Sequence, residues 1–145
     1  VGTLPNLGLG MFDSVISNPP FGRVSRDWSG PRYTGRDFEF HLIDLASDHA
    51  RHGAFIIPQT SAGFQFSGSR CFEERKSSKY LSFEKQTGIS LEPGCGIDTT
   101  FYKDEWNGVS PLVESCTVDF KPIQEVRAVL AETAQAPQEQ LAMAV

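Results

Sequence analysis

Residues 53–59, Gly-Ala-Phe-Ile-Ile-Pro-Gln, constrain the fold of this chain more than any other stretch. A short continuous apolar run bounded by Gly and Pro is the pattern of a strand buried on both faces, as in parallel sheets covered by helices. Upstream, Phe12 to Ser17 (FDSVIS) alternates and is rich in β-formers, which predicts a strand ending at Asn18. Between the two lies FEFHLIDLASDHARHG, where Phe38, Leu42, Leu45 and Ala46 fall at the i, i+4, i+7, i+8 spacing of one helical face. Asp37 suits the N-cap of this helix, while His52 and Gly53 suit its C-terminal end, so the helix is expected over 38–51. The order strand, loop, helix, strand is one βαβ unit, expected to be parallel and right-handed. In such open sheets the ligand-binding loop leaves the carboxyl end of the first strand.

Beyond this unit, residues 67–80 read as a short polar helix. GISLEP (88–93) and ESCTVDF (114–120) read as two further strands, added beyond 53–57, with at least one antiparallel. The loop between them, 94–113, is rich in Gly and Asp. Residues 122–134 predict a helix, and the Ala- and Gln-rich remainder a frayed tail. The expected fold class is therefore α/β: a mixed sheet with a parallel βαβ unit and a C-terminal antiparallel strand. Residues 1–121 are expected to form the sheet-bearing part, and 122–145 a terminal helix and flexible tail.

Charge narrows the choice of partners. The chain of 145 residues has a formal net charge of −5, so bulk electrostatics do not favour nucleic acid, and any such contact needs a local basic patch. The loop 22–37, GRVSRDWSGPRYTGRD, is a candidate. Its Arg23, Arg26, Arg32 and Arg36 outweigh Asp27 and Asp37 to give a local charge of +2, which suits phosphate contact. Trp28 and Tyr33, interleaved with the arginines, could stack on bases; a solvated loop with surface arginines is the competing reading. Cys71, Cys95 and Cys116 form no CxxC pair and read as reduced thiols of a cytoplasmic protein. His41, His49 and His52 read as surface histidines near a helix end rather than metal ligands. No apolar run approaches the ~18 residues of a membrane span. The start, VGTLPNLGLG, lacks both a signal-peptide pattern and an initiator Met, and reads as the interior of a longer protein.

The chemistry concentrates where the first strand ends, at Asn18-Pro19-Pro20-Phe21-Gly22. An exocyclic amine is a poor nucleophile because its lone pair is delocalised into the ring. Two acceptors aimed at its hydrogens hold it in place and help build electron density on nitrogen. The Asn18 side-chain oxygen and the Pro19 carbonyl can be those acceptors. Pro19 and Pro20 fix φ and keep the carbonyl aimed, and Phe21 offers an apolar face for a flipped-out base. A rigid turn with Phe21 in the core is the plainer alternative.

Asn18-Pro19-Pro20-Phe21 after an apolar strand resembles the catalytic motif of class I S-adenosylmethionine-dependent methyltransferases, especially the N6-adenine DNA type. Gly22, the Arg-rich loop, the helix and GAFIIPQ follow in an order similar to that family's, so the resemblance covers roughly residues 11–121. It implies a partial Rossmann-like methyltransferase fold. Asn18, Pro19, Pro20 and Phe21 would hold the amine, and Gly22, Arg23, Arg26, Trp28, Arg32, Tyr33 and Arg36 would face DNA. A related branch methylates the amide of a protein glutamine with a similar motif usually ending in Tyr.

The family's cofactor loop, acidic and glycine-rich after a first strand, has no counterpart upstream of Phe12. Gly8-Leu9-Gly10 precedes a strand rather than following one. LEPGCGIDTT (91–100) resembles that loop and would imply circular permutation, but Gly108 and Pro111 interrupt the helix that should follow. Gly94 and Gly96 are read as turn residues. The expectation is thus the C-terminal half of an adenine methyltransferase domain of a restriction-modification type. It would be inactive alone, its S-adenosylmethionine site incomplete, its partners DNA and either the missing half or a second copy. A homodimer or larger assembly would cover the sheet edge left open. The alternatives are a non-catalytic nucleic-acid- or protein-binding remnant of a phage, plasmid or restriction system, or a glutamine-amide or RNA methyltransferase.

Overall fold

Three strands form the main sheet of the computed structural model, which describes residues 7–94, 96–105 and 111–135. Strand β1 (Phe12–Ser17) pairs parallel to β2 (Ala50–Pro58), from Phe12 opposite Ala50 to Ser17 opposite Phe55. Helix α1 (Phe38–Ala46) lies between them in sequence. On the other side of β2, β5 (Val113–Asp119) runs antiparallel, from His52 opposite Asp119 to Pro58 opposite Val113. The order β1-β2-β5 leaves β1 at an edge. The α/β class, the parallel pair and the antiparallel third strand are as the sequence predicts.

Boundaries and faces depart from expectation. Helix α1 stops at Ala46 rather than near residue 51, because Phe12 N–H donates to the His49 carbonyl at 2.8 Å and draws the chain into the sheet. Nor is β2 buried on both faces. Gly53, Phe55 and Ile57 point into the core, whereas Ile56 on the opposite face is 37% exposed and Ile16, beside it on β1, is 85% exposed. Among the described residues, one face of the sheet is covered, and the other is open along β1 at Ile16 and partly open at Ile56, while Val113 at the far end is buried. The covered face carries an aromatic core in which Phe40 stacks on Phe83 at 4.4 Å, with Tyr80, Phe55, Ile57 and Phe120 around them. The helical face that enters it is centred on Phe40 and Ile43; Phe38 and Leu42 are only half-buried.

Residues 67–77 are not helical, and only 78–80 of the predicted 67–80 helix fall in one. Two short strands, β3 (Phe64–Gln65) and β4 (Glu73–Glu74), pair antiparallel, and helix α2 begins at Ser78 and ends at Thr87. The polar run before Ser77 has no apolar face to bury, while Tyr80, Phe83 and Thr87 supply one. Ser77 Oγ accepts the Tyr80 N–H and caps the helix. GISLEP is reduced to a single antiparallel bridge, Glu92 opposite Thr117, although Ile89 and Leu91 are buried. After β5, helix α3 (Lys121–Gln135) is tied back by Arg127, which donates to the Thr87 carbonyl at 2.8 Å and Ser47 Oγ at 2.7 Å. Cys116 is buried and Cys71 exposed, both as free thiols; Cys95 and the predicted tail from residue 136 lie outside the described residues. Among the described residues no helix is long and apolar enough to cross a membrane.

Candidate functional site

Residues 18–22 leave the carboxyl end of β1 and turn towards α1. Pro19 is buried and anchors the turn, Asn18 and Pro20 are exposed, and Phe21 and Gly22 are half-buried. Asn18 has no hydrogen-bond partner among the described residues, so its amide is free to meet a ligand. Gly22 has φ +71°, a left-handed conformation that side chains resist. Its carbonyl accepts the Phe38 N–H at 2.8 Å, and its N–H donates to Glu39 Oε2 at 2.8 Å. The exit from the motif is thereby bonded to the first turn of α1. Phe21 is not swallowed by the core.

The loop that follows is held down by a polar stripe of α1. Asp44 is fully buried: its Oδ2 accepts the backbone N–H groups of Arg32 (2.6 Å) and Tyr33 (2.8 Å), and Oδ1 takes the Arg32 guanidinium at 3.0 Å. Asp48 binds the other Arg32 nitrogen at 2.8 Å. Burial alone would lower the Arg32 pKa, but the bonds to Asp48 and Asp44 outweigh it and the net direction is up. One turn earlier, His41 Nδ1 accepts the Gly30 N–H at 2.9 Å and Nε2 meets the Gly35 carbonyl at 2.8 Å. That pairing fixes a neutral ring with its proton on Nε2. Burial, assisted by the neighbouring Arg26 cation, pulls its pKa below the usual value. At Gly30 a Cβ would stand 2.8 Å from Asp44 Oδ2, so only glycine lets the loop come this close.

These contacts sort the predicted DNA-facing residues. Tyr33 is 3% exposed, its ring packed edge-on against Phe40, His41 and Phe83 and its hydroxyl donating to Asp37 Oδ2 at 3.2 Å. It is a core residue and has no free face for a base. Burial and then Asp37 push its pKa up to about 12. Arg32 is spent on Asp44 and Asp48, so it too is structural. Arg26 turns inward against His41 and the Gly35 carbonyl, with its Nε buried and unpartnered among the described residues. Trp28 packs edge-on to Phe38 at 5.3 Å and remains half-buried. Arg23 and Arg36 are exposed. An open depression of about 600 Å³ lies along Val24–Ser29. His41, expected at the surface, is 1% exposed.

Glu39, His41 and Asp44 were not singled out from sequence as site residues. A signal for two of them exists: Asp37, His41, Asp44 and Asp48 recur at i, i+4, i+7 and i+11, a polar stripe as regular as the apolar one. Such a stripe opposite an Arg-rich loop invites the loop to fold onto it.

Gly8 and Gly10 precede β1. The segment around 91–100 is bonded to antiparallel β5 through Glu92 N–H to Thr117 O and its reciprocal, both 2.9 Å, and a 3-10 turn, Thr99–Glu105, follows it. Among the described residues no group of three or more His, Cys, Asp or Glu side chains is placed to hold a metal ion. Comparisons with protein-family models, curated proteins and solved structures find no match to this chain.

Proposed function

We propose that this chain carries the amine-positioning part of a class I S-adenosylmethionine-dependent methyltransferase domain of the DNA adenine-N6 type. The observation that carries the reading is the state of Asn18–Phe21: an exposed, unpartnered amide and a half-buried aromatic ring, on a turn pinned by buried Pro19, at the carboxyl end of a parallel strand. That end of an open α/β sheet is where ligands bind.

The adenine amine would donate its hydrogens to Asn18 Oδ1 and the Pro19 carbonyl. This aligns the nitrogen lone pair away from the ring plane and stabilises the positive charge that grows on nitrogen during attack. Phe21 would cover one face of the base. S-adenosylmethionine would supply the electrophilic methyl group; on this reading neither Gly8–Gly10 nor 91–100 is its binding loop, so the chain by itself is expected to be inactive. Of the basic loop, Arg23, Arg36 and the depression beside Trp28 remain for phosphate and base contact. Under this reading the sheet is a partial Rossmann-like one, and the open edge of β1 is covered by further strands of the same domain or by a second copy.

The test is binding of a fluorescein-labelled single-stranded oligonucleotide that carries one adenine, read by fluorescence anisotropy. An anisotropy rise that disappears in Asn18→Ala and Phe21→Ala supports the reading; binding indifferent to both substitutions removes it. In an active methyltransferase that includes this segment, either substitution should lower turnover on the order of 100-fold. A non-catalytic nucleic-acid-binding module is the second reading, favoured by the poor fit of 91–100 to a cofactor loop. It predicts that binding follows Arg23 and Arg36 and ignores Asn18.

A further inference from the structure

Glu39, in the first turn of α1, is fully buried, yet its side chain is a carboxyl group bonded to the residue that follows the motif. Its two carboxylate oxygens serve different loops. Oε2 accepts the N–H of Gly22, the residue after Phe21, at 2.8 Å; Oε1 accepts the Ser61 hydroxyl at 2.7 Å. Ser61 belongs to the 3-10 turn Gln59–Ser61 that follows β2. Lys79 of α2 approaches Oε1 at 3.9 Å and leaves the acid with a nearby cation. A single carboxylate thus joins the loops leaving the carboxyl ends of both parallel strands.

Core packing does not ask for a carboxylate here, because burying one is costly unless it is bonded on both oxygens. Bonds to an ionised acceptor are about twice as strong as neutral ones. A rigid clamp between two backbone exits is the return for that cost. Without it, Gly22 would have its left-handed φ and an unpaired N–H, and the turn bearing Asn18 and Phe21 could swing about Pro19.

We propose that Glu39 is a positioning residue for Asn18–Phe21: it locks the turn after β1 to the turn after β2, so that the amide oxygen and the aromatic face keep one fixed separation. This rests on the amine-binding reading given above. It also extends that reading, because it makes the Gln59–Ser61 turn a wall of the same site.

The test uses nuclear magnetic resonance on the full chain with Glu39→Ala, Glu39→Gln and Ser61→Ala. In Glu39→Ala the Gly22 amide should exchange roughly tenfold faster, the size expected for loss of one bond to a charged acceptor. The Asn18 side-chain amide and Phe21 ring signals should shift while the Phe83 and Phe120 core signals stay. Glu39→Gln keeps an acceptor oxygen and should fall between wild type and alanine. If Glu39→Ala does not fold, Ser61→Ala decides: it should move the Asn18 and Phe21 signals while Gly22 stays protected. Unmoved motif signals in both alanine variants that fold, or motif and core signals moving together, would overturn the proposal. The labelled adenine oligonucleotide is the separate arm. Failure of the wild-type chain to bind it removes the functional reading, while the exchange and shift data still decide Glu39.

Discussion

The imidazole of His41 is neutral because it is buried, receives the Gly30 N–H on Nδ1, and faces the Arg26 cation. The hydrogen bond to the Gly35 carbonyl, then Asp44 and Asp37, pull in the opposite direction but do not win. Its folded pKa lies below the unfolded value of about 6.5, so the unfolded chain binds more protons across that window. Stability from this group is full above the unfolded value and is lost as pH falls towards and through the folded one. Urea midpoints should therefore drop as pH falls below about 6.5, and His41→Gln, which keeps one donor and one acceptor, should flatten that drop. Asp44 gives a larger effect. Asp44→Ala strands two backbone N–H groups and the Arg32 guanidinium, and should cost about 3 kcal/mol in urea unfolding. Asn18 to Phe21 stood out as a candidate site because their residue types are chemically unusual at a strand end. Glu39, His41 and Asp44 were not, since a helical-wheel reading assigns polar residues to solvent, and only a loop folding back over them puts them inside.

Among the elements, strands β1, β2 and β5 and helix α3 were readable from local pattern, because apolar periodicity decided them. Helix α2 was displaced by about one helix length: polar residues 67–76 gave no period, and the capping Ser77 with Tyr80 and Phe83 carried the true start. The stop of α1 was set by β1 pairing, a long-range contact that no local window contains. Where α2 ends, Gly88 has φ +73°, and a Cβ there would meet Ile123 Cδ1 of α3 at 2.6 Å. Gly88→Ala therefore adds left-handed strain of about 1–2 kcal/mol to a repacking of Ile123, whose flexible end can move. The expected loss is about 2 kcal/mol, read from the urea midpoint with an unchanged slope. A loss under about 0.5 kcal/mol would mean that neither the left-handed conformation nor the contact with α3 constrains this turn.

At the scale of the whole molecule, the described residues give the sheet one covered face, one face open along β1, and an open parallel edge. Parallel pairs are normally covered on both sides, and here Ile16 at 85% and Ile56 at 37% exposure sit on the open one. The outer edge of β1 has no strand partner among the described residues, and Phe12, Met11 and Leu9 leading into it are each nearly half exposed. An unpaired strand with apolar flanks is a template for another chain, and Pro19 and Pro20 block pairing only beyond its end. The expected outcome for the isolated 16.0 kDa chain is self-association through β1, seen by light scattering as a dimer or larger species that dissociates on dilution. Ile16→Lys places a charge on the open face of that edge, the device by which natural edge strands avoid pairing. Because Ile16 contributes almost nothing to the core, this substitution should leave the urea midpoint of the monomer unchanged while raising the dissociation constant at least about tenfold, near 1.4 kcal/mol. A wild-type chain that scatters as a monomer at high concentration would defeat the edge argument. Self-association that Ile16→Lys fails to weaken would move it to another surface, of which Val126, Val129 and Leu130, all more than half exposed along α3, form the next apolar stripe.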